Sequence, residues 1–300
     1  MRIGAIEAGG TKFICGVGNE KGEILDRINF PTEAPEKTLE QAVSYFRGKG
    51  VEAIGIGSFG PIDLDRSSPT FGRVTTTPKP GWSGFDIVGY MKDNYPVPIG
   101  FDTDVNAAVF GEVMWGAAKG LDSCVYYTVG TGVGVGVYTE GRLIHGLVHP
   151  EGGHVLIRRH PEDSFGGLCP YHSDCLEGMA SGPALEKRWG VKGSELPADH
   201  QAWEMEAYYL AQAISGVILL LSPKKVILGG GVMHQKQLFP LIRKEVTQIL
   251  NGYVASPTIF EGLDNYIVPP ALGDNAGLCG ALALGIEAAH FSPNSGAHNR

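Results

Sequence analysis

Three kinds of residue in this chain are suited to chemistry: acidic side chains where a strand meets a helix, glycine turns between strands, and a Cys/His group. The acidic stretch is Asp102-Thr103-Asp104-Val105-Asn106, between a short apolar run at 97–101 and the small, apolar residues from Ala107 to Trp115. Asp and Asn at a helix start are ordinary N-caps. The alternative is that one carboxylate projects into a cleft and accepts a proton. Glycine turns follow apolar runs at Gly9-Gly10-Thr11-Lys12, at Gly130-Thr131-Gly132 and at Gly229-Gly230-Gly231. Glycine lets backbone N–H groups approach an anion closely, and successive N–H groups form an anion-binding nest. Cys169, His172 and Cys175 stand at three-residue steps, with His154 upstream as a fourth donor. Two thiolates and two imidazoles suit a closed tetrahedral zinc site; the plain alternative is a pair of reduced surface cysteines.

These groups need elements to hold them. Residues 3–18 read as strand, Gly-Gly-Thr turn, strand, and 124–139 repeat that pattern. Asn19 to Gly22 turns the first hairpin into a third strand at 24–28, and Glu140-Gly141 turns the second into one at 142–144. Two related lobes, each offering a glycine turn, would hold a polyphosphate. Helical spacing appears at 38–46, 202–221, 239–250 and 278–288, with helix starts at 86 and 181. Short buried strands are expected at 51–56, 97–101, 225–228 and 266–268. Residues 69–84, rich in Thr, Pro, Gly and Lys, form an irregular loop of the kind that often serves function. Cys15, Cys124 and Cys279 lie in apolar runs and read as buried hydrophobes.

Composition narrows the partners. The 300 residues are 43% hydrophobic and 19% charged, with net charge −8, which suits two folded domains and disfavours nucleic acid or a membrane surface. No apolar run is long enough to span a bilayer, and the N-terminus has no signal-peptide pattern. Five cysteines make a disulfide framework unlikely to be the scaffold's basis, so a cytoplasmic location is expected. The expected domains are an α/β lobe at 1–117, joined by a C-terminal helix at 278–290, and a second α/β lobe at 118–277 with a zinc element at 146–180. A polar tail at 291–300 is expected to fray.

Together the motifs resemble the ROK family of sugar kinases and repressors over nearly the whole chain. Glu7-Ala8-Gly9-Gly10-Thr11-Lys12 resembles its first phosphate motif, 128–136 its second, and Gly229-Gly230-Gly231-Val232 its adenosine motif. Glu151-Gly152-Gly153-His154 with Cys169, His172 and Cys175 resembles its zinc element. Ser58-Phe59-Gly60-Pro61 with Thr77-Pro78-Lys79-Pro80-Gly81-Trp82 is most similar to its bacterial fructokinases. The resemblance implies a two-lobed, actin-like (ribonuclease-H-like) α/β fold, a homodimer, Mg²⁺ with ATP, and a structural Zn²⁺ on His154, Cys169, His172 and Cys175. It implies Asp104 as general base for ATP-dependent phosphorylation of a hexose, fructose first and mannose or glucose next. Gly9, Gly10, Thr11, Lys12, Thr131, Gly132, Gly230, Gly231 and Asn275 are then expected at ATP, and Asn106, Glu151, His154 and Glu177 at the sugar. His154 has two implied roles, at zinc and at sugar.

Three positions depart from the family pattern. Glu7 stands where Asp is usual, and the longer carboxylate still reaches Mg²⁺ or its water. His172 replaces a thiolate and keeps the ligand count. Thr103 replaces an amide that contacts the hexose in glucose-type members. A repressor would need a DNA-reading helix–turn–helix, expected ahead of a phosphate motif that here begins at residue 7. A non-catalytic binding module would need neither three glycine turns nor the carboxylate.

Overall fold

A computed structural model describes residues 1–291, so all of the expected tail except Phe291 lies outside the described residues. The chain makes two compact units. The first holds Met1–Gly120, Leu143–Pro150 and the chain from Asn275; the second holds Leu121–Arg142 and Glu151–Asp274. Residues 143–150, expected from sequence in the second lobe, thus pack with the first unit.

The first unit contains β1 (Arg2–Ala8), β2 (Lys12–Asn19), β3 (Ile24–Pro31), α1 (Pro35–Phe46), β4 (Ala53–Ser58), α2 (Ile87–Asn94), β5 (Ile99–Thr103) and α3 (Asp104–Trp115). The chain then builds β6 (Cys124–Val129), β7 (Val133–Thr139), β8 (Arg142–Leu143), α4 (Leu176–Ala180), α5 (Gly182–Trp189) and α6 (Ala202–Leu221). It continues through β9 (Val226–Gly229), α7 (Leu238–Leu250), α8 (Pro257–Phe260), α9 (Leu263–Tyr266) and β10 (Ile267–Val268). Finally α10 (Ala276–His290) returns to the first unit.

The two sheets share one plan. Their strand orders are β3-β2-β1-β4-β5 and β8-β7-β6-β9-β10, an antiparallel meander extended by two parallel strands. The duplicated hairpin seen in the sequence is therefore the nucleus of each sheet. β4 is buried at every position, because the first sheet is covered on both faces. One cover includes Phe13, Leu39, Phe46, Ile56, Trp82 and Met91; the other includes Ile3, Ala53, Leu278, Leu282 and Ile286. The irregular loop at 69–84 is pinned by Trp82, whose ring is fully buried and whose Nε1–H donates to the Glu33 carbonyl at 2.9 Å.

Glycine seats α10. A Cβ on Gly55 of β4 would lie 1.7 Å from the Ala281 carbonyl oxygen, and one on Gly280 would lie 1.6 Å from that of Ala107. The helix thus touches β4 and α3 backbone to backbone, a distance no other residue permits.

In the second unit, α5 and α6 anchor the loop that follows the Gly152–His154 turn. Asp163 accepts from the Tyr209 hydroxyl at 2.6 Å and lies 3.1 Å from Arg188 Nε, with all three buried or nearly so. Burial pushes the Glu206 carboxyl beside them well above the carboxylate range, with Arg188 opposing, so it is held neutral. Among the described residues, no helix is long and apolar enough to cross a membrane.

Candidate active site

Parallel strands place their carboxyl ends at one sheet edge, where ligands of α/β folds gather. In the first unit β1, β4 and β5 end there, carrying Glu7, Ser58 and Asp104. Asp104 opens α3. Thr103 caps the helix by accepting from the Asn106 N–H at 3.1 Å, and Asp104 Oδ1 accepts from the Val105 N–H at 2.9 Å. Gly57 lets this turn lie flat on the sheet, since a Cβ there would meet Ala107 Cβ at 2.7 Å.

Asp104 keeps a part-exposed surface, yet its carboxyl is densely surrounded. Burial, then the nearby charge of Glu7, raises its pKa from 3.8 to about 7, while the Val105 N–H opposes the shift. Glu7 lies against Gly277 in the first turn of α10; a Cβ on that glycine would meet the Glu7 carboxyl carbon at 2.7 Å. That turn's positive dipole end favours a carboxylate beside it.

Asn106 is the residue expected from sequence at the sugar. It is 1% exposed, and its Nδ2 donates to Asp102 Oδ1 at 2.8 Å. Its Oδ1 is buried and has no hydrogen-bond partner among the described residues. Asp102 is also buried, and its second oxygen lies 2.7 Å from His145 Nε2. The pairing of Asp102 with His145 does not show in the sequence, because the two are 43 residues apart.

The first glycine turn is tight. Gly9 N–H donates to the Lys12 carbonyl at 3.0 Å, where a Cβ on Gly9 would come within 2.7 Å. Thr32, missed from sequence, braces it: its hydroxyl donates to the Gly9 carbonyl at 2.7 Å and its N–H to that of Thr11 at 2.9 Å. Gly10, Thr11 and Lys12 are exposed. Asn275 accepts from Arg27 Nη1 at 2.9 Å.

In the second unit the turns after β6 and β9 are neighbours. These strands pair in parallel, Thr128 opposite Gly229, and a Cβ on Gly130 would lie 3.8 Å from the Gly231 N–H nitrogen. Gly230 has φ +89° and no room for a Cβ beside Val129, so only glycine fits. Thr131, Gly132, Gly230 and Gly231 thus share one end of this sheet. Glu177 of α4 supports the first of these turns by accepting from the Val133 N–H at 3.0 Å. Gly132 makes room for that carboxylate, which a Cβ would approach to 2.6 Å.

The Cys/His group converges as its spacing predicts. His154 Nδ1 lies 3.6 Å from Cys169 Sγ and 3.5 Å from Cys175 Sγ, and His172 Nδ1 lies 3.7 Å from Cys169 Sγ. With metal–sulfur bonds near 2.3 Å and metal–nitrogen bonds near 2.05 Å, a tetrahedron has S–N edges of about 3.6 Å. These three edges match that value, and all four donor atoms lie within 4.8 Å of one another, close enough to share one ion. Two backbone hydrogen bonds between Cys169 and Ser173 close the loop that carries His172. Gly153 presses the His154 turn onto β7, because a Cβ there would lie 1.8 Å from the Val133 carbonyl oxygen. His154 Nε2 faces Glu177 Oε1 at 4.0 Å, so the metal donors adjoin the brace of the glycine turn. Glu151, one residue before this turn, is exposed.

Two α/β sheets on one plan, glycine turns at strand ends and a carboxyl raised toward neutrality are parts that a phosphoryl-transfer site uses. The chain belongs to the ROK family, whose sequence profile matches residues 3–288. The fructokinase of Pediococcus pentosaceus is 48% identical over 284 residues, covering 95% of this chain and 97% of that protein. The fructokinase of Streptococcus mutans is 42% identical over 287 residues, covering 94% and 96%. A ROK family glucokinase from Streptomyces griseus, solved in complex with glucose and AMPPNP, is 26% identical with a TM-score of 0.76, covering 96% of this chain and 100% of that one. The expected actin-like sugar-kinase fold is thus the observed one.

Proposed function

We propose that the protein transfers the γ-phosphoryl group of ATP to the 6-hydroxyl of fructose. The observation that carries this reading is Asp104, a carboxyl of pKa about 7 at the carboxyl ends of the parallel strands of the first sheet. A base poised near the working pH is the most effective one. The sugar oxygen attacks the γ-phosphorus, and its proton passes to Asp104. The bond to the β-phosphate oxygen breaks, and its electron pair leaves with ADP. We assign phosphate contacts to Gly9, Gly10, Thr11, Lys12, Thr131 and Gly132, and adenosine contacts to Gly230, Gly231 and Asn275. Mg²⁺ arriving with ATP neutralises phosphate charge, and Glu7 is the carboxylate assigned to it or its water. Asn106, through its unpartnered Oδ1, and Glu151, His154 and Glu177 are assigned to sugar hydroxyls.

Fructose is favoured over glucose by two facts. The Pediococcus and Streptococcus relatives bear the name fructokinase. Thr103 commits its side chain to the cap of α3 and is buried, so this position offers no amide to a hexose. A coupled ADP-release assay with Mg-ATP across fructose, mannose, glucose and N-acetyl sugars decides the matter. The highest kcat/KM is expected for fructose; a preference for glucose or mannose would reassign the substrate, and no turnover on any sugar would end the reading.

The ion at His154, Cys169, His172 and Cys175 is assigned as structural Zn²⁺, since thiolate and imidazole donors in this geometry suit it. One zinc per chain is expected by elemental analysis. Chelation should lower the melting temperature and speed hydrogen exchange over residues 146–180. Unchanged melting and absent zinc would reject the site.

A homodimer is supported by an apolar groove on the second unit, where Leu156 is 81% and Leu220 82% exposed beside Val155, Leu219 and Ile249. Wild-type protein should run as a dimer in light scattering and Leu220→Glu as a monomer. A monomeric wild type at tens of micromolar would count against it. The thiols outside the metal group, Cys15, Cys124 and Cys279, form no disulfide with one another and suit a reducing, cytoplasmic setting.

A further inference from the structure

Residues 143–150 belong to the first unit, although the chain on both sides of them belongs to the second. Three contacts hold this strap. The Ile144 carbonyl accepts from Asn106 Nδ2 at 3.4 Å, His145 Nε2 meets Asp102 Oδ2 at 2.7 Å, and His149 Nε2 accepts from the Ile62 N–H at 3.1 Å. The middle contact is the short one, and its acceptor is buried.

Asp102 is more than an anchor for the strap. Its other oxygen, Oδ1, accepts from the Thr103 N–H and from Asn106 Nδ2, each at 2.8 Å. Thr103 and Asn106 bracket Asp104, and Thr103 caps the helix that Asp104 begins. One carboxylate therefore joins His145 to the turn that carries the base.

The charges around His145 come from every element packed on it. They are Asp102 on β5, Glu287 on α10, Arg66 in the loop after β4, and His149 on the strap itself. The hydrogen bond to Asp102 raises the ring's pKa above its ordinary value, with burial and Arg66 opposing and Glu287 assisting. Burial lowers that of His149, which stays neutral as the acceptor for Ile62. The ring of His145 thus donates to a carboxylate, and a charged donor makes the stronger bond.

We propose that His145 is a positioning residue for phosphoryl transfer: its ring N–H holds the Asp102 carboxylate, which aims the Thr103–Asn106 turn and with it Asp104. The proposal rests on Asp104 acting as the base. Small misplacements of a base are expensive in rate, because the reacting atoms must lie within hydrogen-bond reach. His145 touches neither substrate in this account; it acts through Asp102.

The test uses the full-length protein with His145→Ala and His145→Gln, which retains a neutral N–H donor. Measured are kcat with fructose, KM for ATP, the melting temperature, and the pH dependence of kcat. His145→Ala should lower kcat about tenfold or more, the scale expected of a misplaced base, with KM for ATP unchanged. The His145 side chain is 42% exposed but Asp102 only 4%, so His145→Ala should also lower melting by leaving Oδ2 of that carboxylate unpaired, and His145→Gln should largely restore it. His145→Gln should recover part of kcat. Wild-type kcat should step down as pH rises through the His145 pKa, and the Gln variant should lack that step. NMR titration of the unliganded protein gives a readout independent of turnover, with His145 titrating above about 6.5, the ordinary histidine value. Wild-type kcat in His145→Ala, or a loss that merely tracks melting, would overturn the proposal. A protein with a normal His145 shift but no kinase activity would instead sink the Asp104 reading on which it stands.

Discussion

Asp104→Asn lowers kcat for fructose by about 10²–10⁴-fold, the usual contribution of a positioned base, and at pH 8 it makes the protein more stable. Both effects follow from one surrounding. Burial and the Glu7 charge raise the Asp104 pKa from 3.8 to about 7. The folded-state value therefore exceeds the unfolded one. The group's stabilising contribution is complete below pH 3.8 and is lost as pH rises through about 7. At pH 8 the folded protein holds a charge its surroundings oppose. The difference of about 3 pKa units sets a ceiling of roughly 4 kcal/mol, and the accessible edge of the side chain reduces it. Asparagine carries no charge, so it should melt a few degrees higher at pH 8 and lose that advantage near pH 4. Wild-type kcat/KM should fall about tenfold per unit below pH 7 as the base is protonated. Near-normal turnover of the variant, or a lower melting temperature at pH 8, would refute the assignment.

Gly280→Ala is expected to be the most damaging single methyl group in the first unit. Its Cβ would fall 1.6 Å from the Ala107 carbonyl oxygen. That atom belongs to the backbone of α3 and cannot rotate away. Overpacking typically costs about 1–3 kcal/mol, and this site should reach or exceed the upper figure. A loss of about 3 kcal/mol lowers melting by roughly 6–12 °C in a unit of this size. Gly55→Ala, aimed 1.7 Å from the Ala281 carbonyl oxygen on the other side of α10, should behave alike. Because Ala107 lies one turn from Asp104, kcat should fall along with stability. Melting within a degree or two of wild type, in either variant, would mean that α10 is free to shift.

What the sequence makes legible is local. The two hairpins show their period-2 runs and glycine turns within a few residues, and each seeds a sheet of the same order. Cys169, His172 and Cys175 announce their convergence by spacing, since a five-residue loop leaves them little choice. What stays hidden is set by distance along the chain. Residues 143–150 look like part of the second lobe, because their ties to Asp102, Asn106 and Ile62 carry no local pattern. That Asn106 spends its amide N–H on Asp102 shows only once the chain is folded. The placement of α10 depends on glycines in four separate segments, at 55, 100, 111 and 280. Composition shows those glycines, but only the packed backbone shows what each one admits.

The return of α10 to the first unit also sets an order of events during translation. β1, β4 and α3 leave the ribosome early, yet the surface that Ala276–His290 will cover stays bare until the whole second unit has emerged. The unit that carries Asp104 thus enters synthesis before the second and completes its core after it.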